Sequence, residues 1–378
     1  MCYIVAAGMS KIGKREEDGV ELFVEAFNEA TNTIEPRDIE AVYVGVQSER
    51  YEHQIMYGAL VAERAGLLMR EAYRVEACAA AGALALHTAY MAVRSGLYKV
   101  AMAVGLEKMT SKNTEEVTDS LMSASDYYLD QLNGITIPAQ YAMLARRYMH
   151  DFGAKEEDLC LIAVKNHENA LYNPKAHIQR RITVEECMNS RPVARPLKLL
   201  DSAPISDGAV VVVVASEEAA RRYTDTPVRI LASTVSSDTL SISQRRDLTW
   251  PRAVHSAAEK AYKQARLKPS DIQLAEVHDC FTINEILLYE ALGFAPRGCG
   301  YILAREGETQ RGGKIPVNTS GGLKARGHPV GASGLAQIYE ICQQLTKQAG
   351  KRQVDAEKAI AVNEGGVNST AVVHVLAV

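Results

Sequence analysis

The sequence predicts an α/β fold assembled from two related halves, and three observations carry that prediction. First, short apolar runs of strand length alternate with helix-length amphipathic segments through most of the chain, the pattern of sheets covered by helices. Second, an order of elements recurs. Val20 to Thr31, helix-like, leads through Pro36-Arg37-Asp38-Ile39 into the strand Ala41 to Gly45, and Ala253 to Gln264 leads through Pro269-Ser270-Asp271-Ile272 into Leu274 to Val277. Third, a further matched pair follows in the same order. The small-residue helix Ala79 to Ser95 feeds the strand Lys99 to Val104, and Ala332 to Lys347 feeds Lys358 to Val362. Two similar halves folded about a pseudo-dyad would set equivalent loops at one seam.

The chain enters the strand-like run Tyr3 to Ala7 without the basic start and apolar stretch of a secretory signal, which reads as a cytosolic protein. Between the halves, Thr110 to Pro196 carries Tyr127, Tyr128, Tyr141, Tyr148 and many charges with no strand alternation, and reads as an inserted helical unit. The first half resumes at Leu197 to Asp201, followed by Ser206-Asp207-Gly208 and Val210 to Val214, a strand apolar on both faces and therefore expected mid-sheet. The expected division is residues 1–109 as the first half, completed by about 197–225, with 110–196 as the insert and 226–378 as the second half.

Composition removes several functions. The 46 acidic and 42 basic residues nearly balance, and no block of five like charges suggests a nucleic acid or an anionic membrane as partner. The longest apolar runs, such as Ala209 to Ala215, are too short to span a bilayer. Seven cysteines without C-x-x-C spacing suggest neither a disulfide framework nor a structural zinc site, so free thiols are expected.

Three distant segments look like parts of one thiol acyl-transfer site: E-A-C-A-A-A-G at Glu76–Gly82, H-D-C-F at His278–Phe281 and G-H-P-V-G-A-S-G at Gly327–Gly334. Cys78 lies between a strand-like Ala72 to Ala77 and a helix beginning near Ala79. Amides and the dipole at a helix start favour a thiolate, so its pKa is expected to fall. The competing reading is a small core residue. His328, among glycines and a proline, suits a base for Cys78 or a donor to an oxyanion, or else a hydrogen-bonded turn residue. His278 and Cys280 follow a strand end, where loops of α/β folds carry function, and a second thiol suits a proton shuttle. Alternatively, Cys280 packs under the helix Ile283 to Leu292. Asn363-Glu364-Gly365-Gly366 ends a strand, and its glycines suit an oxyanion hole with the Cys78 amide or an ordinary turn.

Together these segments resemble the thiolase superfamily over essentially the whole chain. The most specific match is G-G-L-K-A-R-G-H-P-V-G-A-S-G at Gly321–Gly334, and the S-D-G with its valine strand and the duplicated halves agree. The resemblance implies a five-layered αβαβα core of two halves with an inserted loop domain, a homodimer or homotetramer, and carbon–carbon bond chemistry on coenzyme A esters. It makes Cys78 the acylated nucleophile and His328 the residue that activates it. Where many thiolases carry a second cysteine in a C-x-G motif, this chain has Asn363 with Gly365 retained. In the sterol-carrier-protein type and archaeal acetoacetyl-CoA thiolases the H-D-C-F cysteine supplies the acid/base thiol, which implies that role for Cys280 and a water-holding or donor role for His278. The implied oxyanion holes are His328 with a water on His278, and the amides of Cys78 and Gly365; Gly322 and Gly366 are expected to line the substrate.

No metal or redox cofactor is implied. The leading expectation is condensation of two acetyl-CoA to acetoacetyl-CoA in the cytoplasm, feeding hydroxymethylglutaryl-CoA synthase in the mevalonate pathway, often through a zinc-ribbon/OB-fold protein. Degradative 3-ketoacyl-CoA thiolysis, acyl transfer to a non-CoA acceptor and a non-catalytic scaffold subunit are the alternatives. Retention of both thiols speaks against the inactive and aldolase-like members.

Overall fold

A computed structural model describes residues 1–378. The first half runs β1 (Cys2–Met9), α1 (Gly19–Ala30), β2 (Ala41–Gly45), α2 (Tyr57–Arg64), β3 (Glu71–Val75), α3 (Ala81–Arg94) and β4 (Val100–Glu107). A mostly helical stretch follows, with α4 (Thr114–Met122), α5 (Ile137–Phe152), α6 (Glu156–Ala170), α7 (Val184–Met188) and two short strands, β5 (Pro192–Ala194) and β6 (Leu197–Lys198). Next come β7 (Gly208–Ser216) and α8 (Glu217–Ala220). The second half is β8 (Val228–Ser237), α9 (Arg252–Ala265), β9 (Leu274–Glu276), α10 (Thr282–Ala291), α11 (Gly300–Arg305), α12 (Ser333–Leu345), β10 (Lys358–Gly365) and β11 (Thr370–Ala377).

The halves have the same topology. Strands run β3-β2-β4-β7-β1 and then β8-β11-β10-β9, so β8, β9, β10 and β11 sit where β1, β2, β4 and β7 sit. The counterpart of β3 is reduced to one parallel bridge, Ala275 to Val317. Each P-x-D-I segment closes one 3-10 turn, Pro36–Asp38 and Pro269–Asp271, immediately before β2 and β9. The half-sheets touch at a single corner, where Tyr3 and Ile4 pair with Arg229 and Val228.

Period-two patterning divides the core into layers. In β7, Val211 and Val213 face α1, joining Leu22, Phe23 and Ala26, while Val210, Val212 and Val214 face inward. There they meet Ala85 and Leu86 of α3, Leu335 and Ile338 of α12, and Ala359 and Ala361 of β10. On the far side, Val254, Ala257 and Ala261 of α9 cover Val373 and Val375 of β11. The result is five layers: outer helices, a half-sheet, the pair α3 and α12, the other half-sheet, and outer helices again. The valine strand is mid-sheet and fully buried.

The starts of α3 and α12 are pressed together. A Cβ on Gly82 would lie 2.4 Å from the Gly331 carbonyl oxygen, and one on Gly331 would lie 2.9 Å from Val46 Cα. Only glycine permits that approach.

One expectation fails. Cys160 of α6 and Cys187 of α7 form a disulfide, and both are fully buried. Packing of two helices brings them together, which spacing along the chain does not reveal. The other five cysteines are free. No helix is long and apolar enough to cross a membrane.

Candidate active site

The Cys78 turn is tight and strained. After β3 ends at Val75, Cys78–Ala80 form a single 3-10 turn, and α3 starts only at Ala81. Cys78 itself has φ +51°, in the left-handed region that side chains with a Cβ rarely adopt. The residue is half-buried against Tyr51, Ala79, Met109, Val117 and Val330. Its sulfur faces the amides of Gly366 and Ala79, which favour the thiolate, but burial outweighs them and pushes the thiol up to about 11. The expected fall in pKa is therefore corrected. Cys78 does not ride on the first turn of the long helix, and the negative charges of Glu76 and Glu107 add to the penalty. The Cys78 amide is also occupied: it donates to Glu76 Oε1 at 2.5 Å.

His328 is held from both ends. Its N–H donates to Ser206 Oγ at 3.1 Å, and its Nδ1 lies 2.6 Å from Ser333 Oγ. Since the Ser333 hydroxyl donates to the Pro329 carbonyl at 2.9 Å, its oxygen must accept from His328 Nδ1–H. The tautomer follows: Nε2 carries the lone pair and is a proton acceptor. Burial, with the nearby Arg326 guanidinium, lowers the imidazole pKa to about 3, so the ring is neutral.

His278 has the complementary tautomer. Its Nδ1 lies 2.9 Å from Asn363 Nδ2, which can only donate, so in this amide orientation the ring proton is on Nε2. The two imidazoles pack edge to face with centroids 5.2 Å apart. One offers an acceptor, the other a donor. Burial and the neighbouring His328 hold the His278 pKa well below its ordinary value. Asn284 Nδ2 braces the turn by donating to the His278 carbonyl at 2.6 Å and to Glu364 Oε2 at 2.6 Å.

Cys280 is buried, and its carbonyl accepts the Ala203 N–H at 2.9 Å. Burial raises its thiol well above the ordinary range, with the charges of Glu364 and Asp279 adding to the effect and the adjacent Tyr141 hydroxyl opposing it. Asp279 points the other way, accepting the amides of Leu323 at 2.6 Å and Lys324 at 3.2 Å. That contact fastens the G-G-L-K-A-R-G segment to the H-D-C-F turn. It also accounts for Gly322: a Cβ there would meet the Asp279 carboxylate at 2.3 Å, so Gly322 lies beneath the site, against a carboxylate.

The three motifs thus meet. Cys78 packs on Val330, two residues past His328; His328 packs on His278; and Asn363 to Gly366 reaches His278 at one end and the Cys78 sulfur at the other. Within that last segment the amide facing Cys78 is that of Gly366, while Gly365 presses on the Ala77 carbonyl, where a Cβ would come within 2.1 Å. Sequence reasoning missed Ser333, Ser206, Asn284 and Tyr141. Ser333 had a signal, a hydroxyl five residues after His328 within the same motif, as did Ser206 in the S-D-G segment and Asn284 three residues after H-D-C-F; Tyr141 comes from a distant element and had none. Cys160, Cys187 and Asp201 are the one grouping of potential metal ligands, and its two sulfurs are joined to each other.

Known proteins resemble this chain over nearly its whole length. Residues 2–218 match the family description "Thiolase, N-terminal domain", and residues 234–378 match "Thiolase C-terminal domain-like". The chain is 47% identical over 347 residues to an acetyl-CoA acetyltransferase of Methanothermobacter thermautotrophicus, covering 90% of this chain and 89% of the relative. It is 40% identical over 385 residues to an acetyl-CoA acetyltransferase of Methanocaldococcus jannaschii, covering 99% and 98%. A solved structure titled "Ltp2-ChsH2(DUF35) aldolase" superposes with a TM-score of 0.87 at 28% identity, covering 100% of this chain and 97% of that one. With both family models matched and the fold duplicated, the chain belongs to the thiolase family and is an acyltransferase.

Proposed function

We propose that the protein is an acetyl-CoA C-acetyltransferase that condenses two acetyl-CoA into acetoacetyl-CoA and free CoA. In the first half-reaction Cys78 gives its proton to His328 Nε2 and its sulfur attacks the thioester carbonyl. The CoA thiolate leaves and takes the Cys280 proton, which makes the Cys280 thiolate, while His328 keeps the proton from Cys78. In the second, the Cys280 thiolate removes an α-proton from the next acetyl-CoA, and the enolate carbon attacks acetyl-Cys78. A carbon–carbon bond forms, the carbon–sulfur bond to Cys78 breaks, His328 returns its proton to the released sulfur, and Cys280 keeps the α-proton as its thiol. One oxyanion is met by His328, whose Nε2 can donate once it has taken the Cys78 proton, with a water held on His278 Nε2–H. The other is met by the Cys78 amide, once Glu76 has moved off it, with the glycine amides at residues 365 and 366.

The observation that carries this reading is the pair of oppositely tautomeric imidazoles 5.2 Å apart. The acetyl group as cargo is supported by the two acetyltransferases at 47% and 40% identity. The proposed setting is cytoplasmic, with coenzyme A esters as substrates, no metal, and a product that feeds hydroxymethylglutaryl-CoA synthesis through a zinc-ribbon/OB-fold partner. Likeness to a structure whose title joins Ltp2 to ChsH2(DUF35) supports a partner of some kind. The edge strand β3, with Leu68, Met69 and Tyr73 exposed beside it, supports pairing with a second copy. Residues 110–196 are proposed to act as an inserted unit that closes over the thiols.

Mass spectrometry after exposure to acetyl-CoA tests the reading. An acetyl group on Cys78 is expected, together with faster thiolysis of acetoacetyl-CoA than of longer 3-ketoacyl-CoA. An unmodified Cys78 sinks it.

A further inference from the structure

Tyr141 is unexplained by the reaction as drawn so far. It comes from α5 in the central helical stretch, is fully buried, and stacks its ring on Phe281 with centroids 4.9 Å apart. Its hydroxyl lies against the Cys280 sulfur but outside ordinary hydrogen-bond geometry, and it has no other partner among the protein atoms. A buried hydroxyl left unpaired destabilises a fold, so its presence calls for a partner that appears at some point in the cycle.

The groups around it narrow the choice. The charges that bear most on the Tyr141 hydroxyl are those of Cys280, Glu364 and Arg245. Glu364 already accepts from Asn284 at 2.6 Å and Asn368 at 2.7 Å. Arg245 is a cation and can only donate, and it is anchored on the Val367 carbonyl. The Cys280 sulfur is the acceptor that remains. As a neutral thiol it is a weak one, whereas as a thiolate it is strong, and charge-assisted bonds are about twice as strong as neutral ones.

We propose that Tyr141 is a positioning residue for the acid/base thiol, donating its hydroxyl hydrogen to the Cys280 sulfur when that sulfur is ionised. The inference rests on the role given to Cys280 above. When the thiolate takes the α-proton, an S–H bond forms, the C–H bond breaks and its electron pair passes to the enolate. The phenol keeps its proton throughout. A phenolate there would face the Cys280 and Glu364 charges in a buried setting, and the Tyr141 pKa is accordingly held well above its ordinary value.

The test separates the two half-reactions of the intact protein in heavy water. Three quantities are read: the rate of acetyl transfer from acetyl-CoA to Cys78, the rate of deuterium entry into the acetyl methyl group, and the melting temperature. Tyr141→Phe is expected to acetylate at the wild-type rate, to melt at the same or a higher temperature because an unpaired hydroxyl is gone, and to exchange deuterium about 10- to 100-fold more slowly. Tyr141→His, which keeps a ring donor, is expected to exchange faster than Tyr141→Leu, and that pair decides the matter even if Tyr141→Phe does not fold. Wild-type exchange in Tyr141→Phe overturns the inference. So does an equal loss in acetylation and exchange, which would mark a structural role. Cys280→Ala is the control: if it exchanges as the wild type does, the role of Cys280 falls as well, whereas a dead Cys280→Ala beside an unimpaired Tyr141→Phe removes Tyr141 alone.

Discussion

At the start of α3 the chain places a thiol on a strained backbone, and at the matching start of α12 it places an imidazole fixed through its Nδ1 with Nε2 left free. Cys78 has φ +51° and no side-chain donor aimed at its sulfur, while His328 is tied through Ser206 and Ser333 into one tautomer. The same contrast appears after β2 and β9. In the first half Gln47 and Ser48 give their amides to Glu107, at 2.7 and 3.3 Å, which braces the seam. In the second half the equivalent loop carries His278, Asp279 and Cys280. Duplication brought two equivalent corners together, and chemistry required them to differ. A nucleophile must be open to substrate and free to change partners, whereas a base works best when its lone pair is fixed in direction.

Removing either member of the pair tests this division most severely. Cys78→Ala is expected to abolish the acetyl adduct and lower turnover by about 10⁴-fold or more, and His328→Ala to slow acetylation by about 10²- to 10⁴-fold, measured by rapid-quench mass spectrometry. Normal acetylation in His328→Ala would break the comparison.

Next in size is a pH effect. With the Cys78 thiol raised to about 11, its thiolate fraction should grow about tenfold per pH unit below that value, so its alkylation rate by iodoacetamide should climb in step from neutral pH upward. A plateau near neutrality would mean an activated thiol and would erase the contrast with the neutral imidazole, whose pKa lies near 3.

Ser333→Ala should cost about tenfold in acetylation, the scale of one hydrogen bond, because the His328 proton is then free to sit on either nitrogen. Its KM for acetyl-CoA should hold. The smallest change is expected from Glu76→Gln, which weakens the contact at 2.5 Å on the Cys78 amide and should raise the acetylation rate by a few-fold. A slower Glu76→Gln would show that this carboxylate helps the reaction.

Much of the fold was legible because its signals are local and repeated. The P-x-D-I turns, the unbroken apolar run Val210 to Val214 and the small-residue helix Ala79 to Ser95 each follow from near neighbours, and each is found close to where it was expected. The site was legible in part. Cys78, His278, Cys280 and His328 stand in short motifs, but their protonation does not. The Cys78 pKa was expected to fall from its place before a helix, and it rises because walls from Tyr51, Met109, Val117 and Val330 enclose it. The Cys160–Cys187 disulfide escaped notice because helix packing, and no spacing rule, makes it.

The amino-acid sequence by itself determined the α/β class, the doubling of the fold and which side chains are candidates for the chemistry, since these depend on residue type and short-range periodicity. The tertiary structure alone decided which nitrogen of each imidazole bears the proton, how strongly each thiol holds its own, and that Tyr141 stands beside Cys280. Those properties are set by burial and by partners from remote elements, and desolvation and hydrogen-bond direction exist only once the layers have closed.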